Sequence, residues 1–449
     1  MTQNADRLAG EQRKTFHKRG NFAPVESEQT LDSLQVAGEL PADLNGLYVR
    51  NGPNPAINPS SHWFVGDGML HGINFNQGKV GWYRNRYVHT KMLRREGKYL
   101  SDDGSVDRTV CVANTNIVRH AGKMLALVEN AFPMEVNSDL STVGSYDFNG
   151  KLNSAMTAHP KICPTTGDML FFGYHFAAPY LTYNRSNAAG ELVFSRDIDV
   201  TGPTMIHDFA ITENHVIFLD LPVVFDMALA MSGESPPYIW SDDYPARIGV
   251  LPRNDEAAPV CWFDIDPCYV FHVMNAFDDA DGVVLDAARY PKVWQGDNAS
   301  FTSAYLYRWE IDLIRGTIKE KLLESPAIEF PRTNEGVQGR PYRYGYAPIF
   351  DDGIESQQVG RVGKLDWQKN EWQLFDFGED VAPGEFVFAP AANAKEEDDG
   401  YLLGFAYRSA HERSSLYVFD ARFNQATPLA RVDLPVRVPF GFHGNWMPN

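Results

Sequence analysis

Cysteine is scarce: Cys111, Cys163, Cys261 and Cys268 are the only four in 449 residues, and none forms a CxxC pair. That spacing excludes a zinc knuckle and a dense disulfide framework, and it points to a reduced compartment. The chain has no run of about 18 apolar residues, so nothing in it is expected to span a membrane. Its first residues, from Met1 to Arg7, are polar and lack the apolar core of a secretory signal, which makes cytoplasmic the expected location. Excess positive charge is also missing. Lys and Arg number 40 against 58 Asp and Glu, a formal net charge of −18. Phosphate would be repelled, so a general nucleic-acid binder is excluded and a neutral substrate is favoured. Finally, there is no Gly-x-Gly-x-x-Gly fingerprint, and neither nicotinamide nor flavin is expected.

Sustained helical periodicity is nearly absent as well. Short apolar or alternating runs dominate instead, such as 46–50, 80–84, 126–128, 169–172, 216–219, 306–311 and 401–405. Asn-Gly pairs at Asn45, Asn51 and Asn149, and Asp-Gly pairs at Asp67, Asp103 and Asp399, punctuate them as turns do. Strands of this kind over so long a chain exceed a sandwich and indicate an all-β propeller, although no WD-type repeat marks its blades. Residues 1–30 are polar and read as an N-terminal arm, with 31–449 as a single catalytic propeller domain. One stretch, 221–231, breaks the strand texture: it is apolar and helix-compatible after Pro222. It fits either a buried connection or an exposed lip at a site entrance that touches a membrane and draws out a lipophilic substrate.

Chemistry is carried by histidine. Of the twelve, His17, His62, His89, His120 and His411 have polar neighbours and are expected at the surface. His159, His207, His272 and His443 sit in apolar or constrained contexts, the last six residues from the end of the sequence. Separations of 48, 65 and 171 residues exclude a local metal loop and suit ligands delivered from different blades to one axis. Neutral imidazole is a common ligand for Fe, Zn and Cu, and burial keeps the ring uncharged. Each of the four also fits a satisfied core histidine.

Several motifs, in order, carry a resemblance: NGLYVRNGPNP at 45–55, GDGMLHG at 66–72, ANTNI at 113–117, TAHPK at 157–161, HDF from His207, FHV from Phe271, EFPR from Glu329, EDDGYLL at 397–403 and FHG from Phe442. The sequence resembles the carotenoid cleavage oxygenase family, which includes lignostilbene dioxygenases. The resemblance implies a seven-bladed β-propeller capped by loops and short helices, with Fe(II) on its axis held by His159, His207, His272 and His443. It implies glutamates behind three of those rings, at Glu129, Glu329 and Glu385, which fix tautomer and orientation. It implies that Thr115 crowds one open position of the iron. It implies O2 as cosubstrate and oxidative cleavage of a C=C bond into two carbonyl products, with no external reductant.

Val128, Phe132, Met205 and Phe271 are the further candidates for the wall of the substrate pocket, whereas Phe209 and Phe442 are expected to pack the core. The stilbene-cleaving branch carries a lysine where this chain has Val128 before Glu129, and valine cannot bind a phenol. That favours a carotenoid or apocarotenoid over a lignostilbene or propenylphenol. Two readings from other classes compete: a metal-dependent propeller lactonase, which would want a carboxylate-rich calcium site, and a non-catalytic propeller module, which would leave the four histidines unexplained.

Overall fold

The computed structural model describes residues 16–449 apart from 59, 61, 102, 233–235, 256, 295–301, 351–359 and 425–426. Residues 1–15 of the expected arm therefore lie outside the described residues, as do 233–235 just after the lip. Antiparallel pairs make seven radial sheets and one separate hairpin, Val223–Phe225 with Tyr238–Trp240. This is a seven-bladed β-propeller.

Why these segments are strands follows from their burial. Outer strands alternate, as in Lys79–Tyr87, where every second residue from Tyr83 is buried. Strands covered on both faces are continuous apolar runs, as in Met169–Tyr174, all six residues of which are buried. Tight reversals use positive φ: Gln77 and Gly78 (49° and 71°) join Gly68–Asn76 to Lys79–Tyr87, and Ala121 and Gly122 (47° and 80°) join Asn116–His120 to Lys123–Leu127. These are two-residue hairpin geometries that match strand twist, reached here without the Asn-Gly or Asp-Gly signature.

Both ends of the chain close the ring. In the first blade, Gly444–Pro448 pairs with Gly46–Pro53 (Arg50 opposite Gly444, Gly46 opposite Pro448) and becomes the strand nearest the axis. In the last blade, Gln35–Gly38 adds the outermost strand beside Ala430–Asp433. The axial strands are Asn116–His120, Lys161–Ile162, Ala210–Ile211, Tyr269–Asp279, Tyr344–Ile349, Val387–Pro390 and Gly444–Pro448. Phe22 packs edge-on against Trp63 and lies 5.1 Å from Phe440, while Phe440 N–H donates to Asn21 O (2.7 Å). The described part of the N-terminal segment is thus tied to the chain's last turn.

Candidate metal centre

Each of the four histidines stands at or near the start of an axial strand. His159 lies two residues before the start of Lys161–Ile162, and His207 precedes Ala210–Ile211. His443 abuts Gly444–Pro448, and its N–H donates to Thr115 O (3.1 Å). His272 lies within Tyr269–Asp279 where the pairing register shifts between Val270 and Val273, a bulge that re-aims the side chain toward the axis. All four are buried, and one ring nitrogen from each lies within 4.8 Å of the others.

Successive Nε2 atoms are 3.0 Å (His159 to His207), 3.2 Å (His207 to His272) and 3.0 Å (His272 to His443) apart. These contacts are not a chain of hydrogen bonds. Nδ1 of His443 donates to Glu385 Oε1 at 3.0 Å, and Nδ1 of His207 and His272 pair with Glu129 and Glu329. Those carboxylates hold the proton on Nδ1 of His207, His272 and His443, so the Nε2 atoms of these three rings turn their lone pairs toward one another. Burial, and then the neighbouring rings, press His159 and His443 well below the ordinary imidazole value, whereas at His207 burial is outweighed by the Glu129 carboxylate, which raises it. Four imidazole nitrogens converging on one point form a donor set that a soft-to-borderline divalent metal fits. With metal–nitrogen bonds of about 2.1 Å, neighbouring ligand nitrogens would be about 3.0–3.4 Å apart, and the observed separations of 3.0–3.2 Å fall in that range.

The three glutamates are themselves fixed. Tyr174 O–H donates to Glu129 (2.6 Å), Phe330 N–H to Glu329 (2.6 Å) and Gly444 N–H to Glu385 (2.7 Å), with an Arg332 nitrogen 3.6 Å from Glu385. Burial raises the Glu385 carboxyl, opposed by Arg332 and the Gly444 N–H. Phe330 holds a left-handed φ of 50°, strained for a non-glycine, and lays its ring 4.9 Å from that of His272.

An apolar cavity of about 420 Å³ opens onto His207, His272 and His443. Thr115, Val128, Met205, Phe271, Phe64 and Phe330 are in its wall, and Met227 and Met231 are at its rim, 56% and 80% exposed. Thr115 O–H donates to Asn114 Oδ1 (3.0 Å), which fixes its side-chain rotamer. A second, polar cavity of about 680 Å³ reaches His159, His272 and His443 from another side, past Asp208, Arg332 and Asn445.

With this geometry in hand, comparison with known proteins is decisive. The family model described as "Retinal pigment epithelial membrane protein" (RPE65) matches residues 22–448. A "Carotenoid cleavage oxygenase" of Mycobacterium tuberculosis is 36% identical, over 96% of this chain and 97% of its own length. The chain belongs to the RPE65/carotenoid cleavage oxygenase family. Among solved structures, a lignostilbene dioxygenase of Pseudomonas brassicacearum superposes with a TM-score of 0.87 at 31% identity, covering 97% of this chain and 99% of that one. A cobalt-substituted Synechocystis apocarotenoid oxygenase gives 0.84 at 26%, covering 98% and 99%.

Within this carotenoid cleavage oxygenase architecture, several sequence expectations need revision. Phe132 is not in the cavity wall: the chain turns after Glu129, and its ring packs into the cluster of Leu127, Phe148 and Phe171. Phe442, expected in the core, lines the cavity 4.6 Å from Trp63, whereas Phe209 is fully buried as expected. His17 and His120 are buried rather than at the surface, because backbone carbonyls of Ser60 (3.2 Å) and Gly167 (3.0 Å) satisfy their rings. Tyr174, Phe330 and Asp208 at the site went unread. HDF and EFPR flagged the last two, but nothing local marks Tyr174 as the partner of Glu129.

Proposed function

We propose that this protein is a non-haem Fe(II) oxygenase that cleaves a C=C double bond of a carotenoid or apocarotenoid with O2, giving two carbonyl products. One alkene and one O2 balance two carbonyls, so no external reductant enters. The observation that carries the reading is four buried imidazoles with converging ring nitrogens, three of which line the end of an apolar cavity. His159, His207, His272 and His443 would hold the iron, which supplies the activation of O2 at an electron-rich alkene.

The chain's own residues do the rest. Glu129, Glu329 and Glu385 keep three rings in the Nδ1–H tautomer and raise their basicity. Thr115 narrows the space beside the ligands, and Val128, Met205 and Phe271 exclude water and align an extended polyene. The ring faces of Phe271, Phe64 and Phe330 stabilise positive charge that develops along the alkene, where a charged side chain would cost desolvation. The apolar Val128 offers nothing to a phenol, which is why a carotenoid-type substrate is favoured. The 31% identical lignostilbene dioxygenase neighbour keeps a 4-hydroxystilbene as the second reading.

Among the described residues no helix is long and apolar enough to cross a membrane. The lip at 221–231 instead combines buried Leu221 and Val223 with the exposed helix Met227–Ser232 at the cavity rim. It gives peripheral contact with a lipid surface from which a neutral polyene enters. In this reading 31–449 is one catalytic domain, 1–30 an arm, and the location cytoplasmic.

The test is reconstitution with Fe(II), metal analysis, O2 uptake and mass spectrometry of products from a carotenoid, an apocarotenal, a hydroxystilbene and a propenylphenol. One iron per chain and carbonyl products from a polyene are expected, and His272→Ala loses both. An alanine variant that kept iron and activity would overturn the assignment.

A further inference from the structure

Three histidines of the centre have a carboxylate behind them, and His159 has none among the described residues. Its segment is nevertheless held on both flanks. Asn116 Nδ2 donates to Ala158 O (2.7 Å), and Lys161, two residues beyond the ligand, places Nζ 2.7 Å from Asp208 Oδ1. Asp208 follows His207 directly, its side chain is 2% exposed, and it faces the polar cavity. Besides Lys161 it accepts two backbone N–H groups: Phe209 on Oδ1 (2.8 Å) and Val273, the residue after His272, on Oδ2 (2.8 Å). One carboxylate therefore ties together the backbones that carry His159, His207 and His272.

We infer that Asp208, acting through Lys161 and Val273 N–H, is a positioning residue that sets the separations of His159, His207 and His272 and takes the place of the missing fourth outer carboxylate. Glutamates at the other three rings act on Nδ1, on the side-chain end. Asp208 acts on the chain end, where three blades meet. Burying a charged pair stabilises a fold little by itself, so its location is better explained by the register it enforces. The tie lies on the polar side of the histidines, away from the substrate wall, so its loss should weaken metal binding and leave substrate KM unchanged. This inference rests on the metal-centre reading above.

The experiment is Co2+ titration of the metal-free full chain, followed by the visible d–d bands, with thermal melts of each metal-free variant. Failure of the wild-type protein to bind Co2+ or Fe2+ would overturn the metal-centre reading itself. Given wild-type binding, Asp208→Asn should weaken Co2+ affinity about 10–100-fold and alter the d–d spectrum, as loss of an outer partner does. Lys161→Met, which leaves the Asp208–Val273 bond in place, should weaken binding by no more than Asp208→Asn does, and the double variant should lose no more than Asp208→Asn alone, since both remove the Lys161–Asp208 link. Asp286→Asn controls for general destabilisation, because it breaks the buried Asp286–Arg308 pair (2.7 Å) in a blade without touching the centre. It should lower the melting temperature and leave Co2+ affinity unchanged. The inference is overturned if Asp208→Asn binds Co2+ like wild type, if Asp286→Asn weakens binding equally, or if the Lys161 and Asp208 losses add.

Discussion

Removing Glu385 tests how an outer carboxylate works, because two donors with different jobs converge on it. His443 Nδ1–H (3.0 Å) orients a ring, while Gly444 N–H (2.7 Å) anchors the axial strand of the first blade. Glu385→Ala leaves both donors buried without a partner, at about 1–3 kcal/mol each, so the metal-free protein should lose about 2–6 kcal/mol. A freely turning His443 should also weaken metal binding about 10–100-fold, which is about 1.4–2.7 kcal/mol. Metal-linked stabilisation grows as RT ln(1 + [M]/Kd), so at fixed excess Fe(II) the gap between metal-free and loaded unfolding curves should shrink by that second amount. Glu385→Gln separates the two jobs: its carbonyl still accepts from Gly444, but its amide cannot also accept from His443 Nδ1–H. It should recover most of the metal-free stability and little of the metal increment. Paired denaturation curves with and without Fe(II), plus metal analysis, provide the readout. If either variant kept the wild-type metal increment, Glu385 would be a strand anchor and not an orienting base for His443.

Three further outcomes are expected. Val128→Lys places an ammonium in the apolar wall, so iron content should hold while polyene turnover falls and activity toward phenolic alkenes rises; loss of iron would move Val128 away from the substrate. Met227→Glu with Met231→Glu should abolish liposome flotation and slow turnover of membrane-dissolved polyene, and flotation unchanged by both would reduce the lip to a surface helix. At acid pH, the side chain of Arg422 and then the N–H groups of Lys395 and Glu396 hold the Asp399 carboxyl down to about 2. A depressed carboxylate contributes stability above its unfolded value that is lost as pH falls. Asp399→Asn should therefore flatten the stability curve between pH about 4 and about 2, and an unchanged slope would exclude that ion pair as a contributor.

What the sequence determined by itself is whatever has short range or survives as a motif. Strand texture is legible because burial on a pleated sheet has period two and strands buried on both faces are continuous apolar runs, as at 79–87 and 169–174. The chemical class was legible too, because His159, His207, His272 and His443 stand in motif contexts even where spacing says nothing about convergence. The tertiary structure alone decided which groups meet. His272 and His443, 171 positions apart, bring their Nε2 atoms to 3.0 Å only because seven blades close on one axis and the final strand completes the first. The turn after Glu129 swung Phe132 out of the cavity, and packing under Trp63 brought Phe442 into it. His17 and His120 look like surface residues beside polar neighbours but are buried where a distant carbonyl satisfies them. The tie from Lys161 through Asp208 to Val273 joins three blades, and no local pattern could have drawn it, since its partners are neighbours only across the axis.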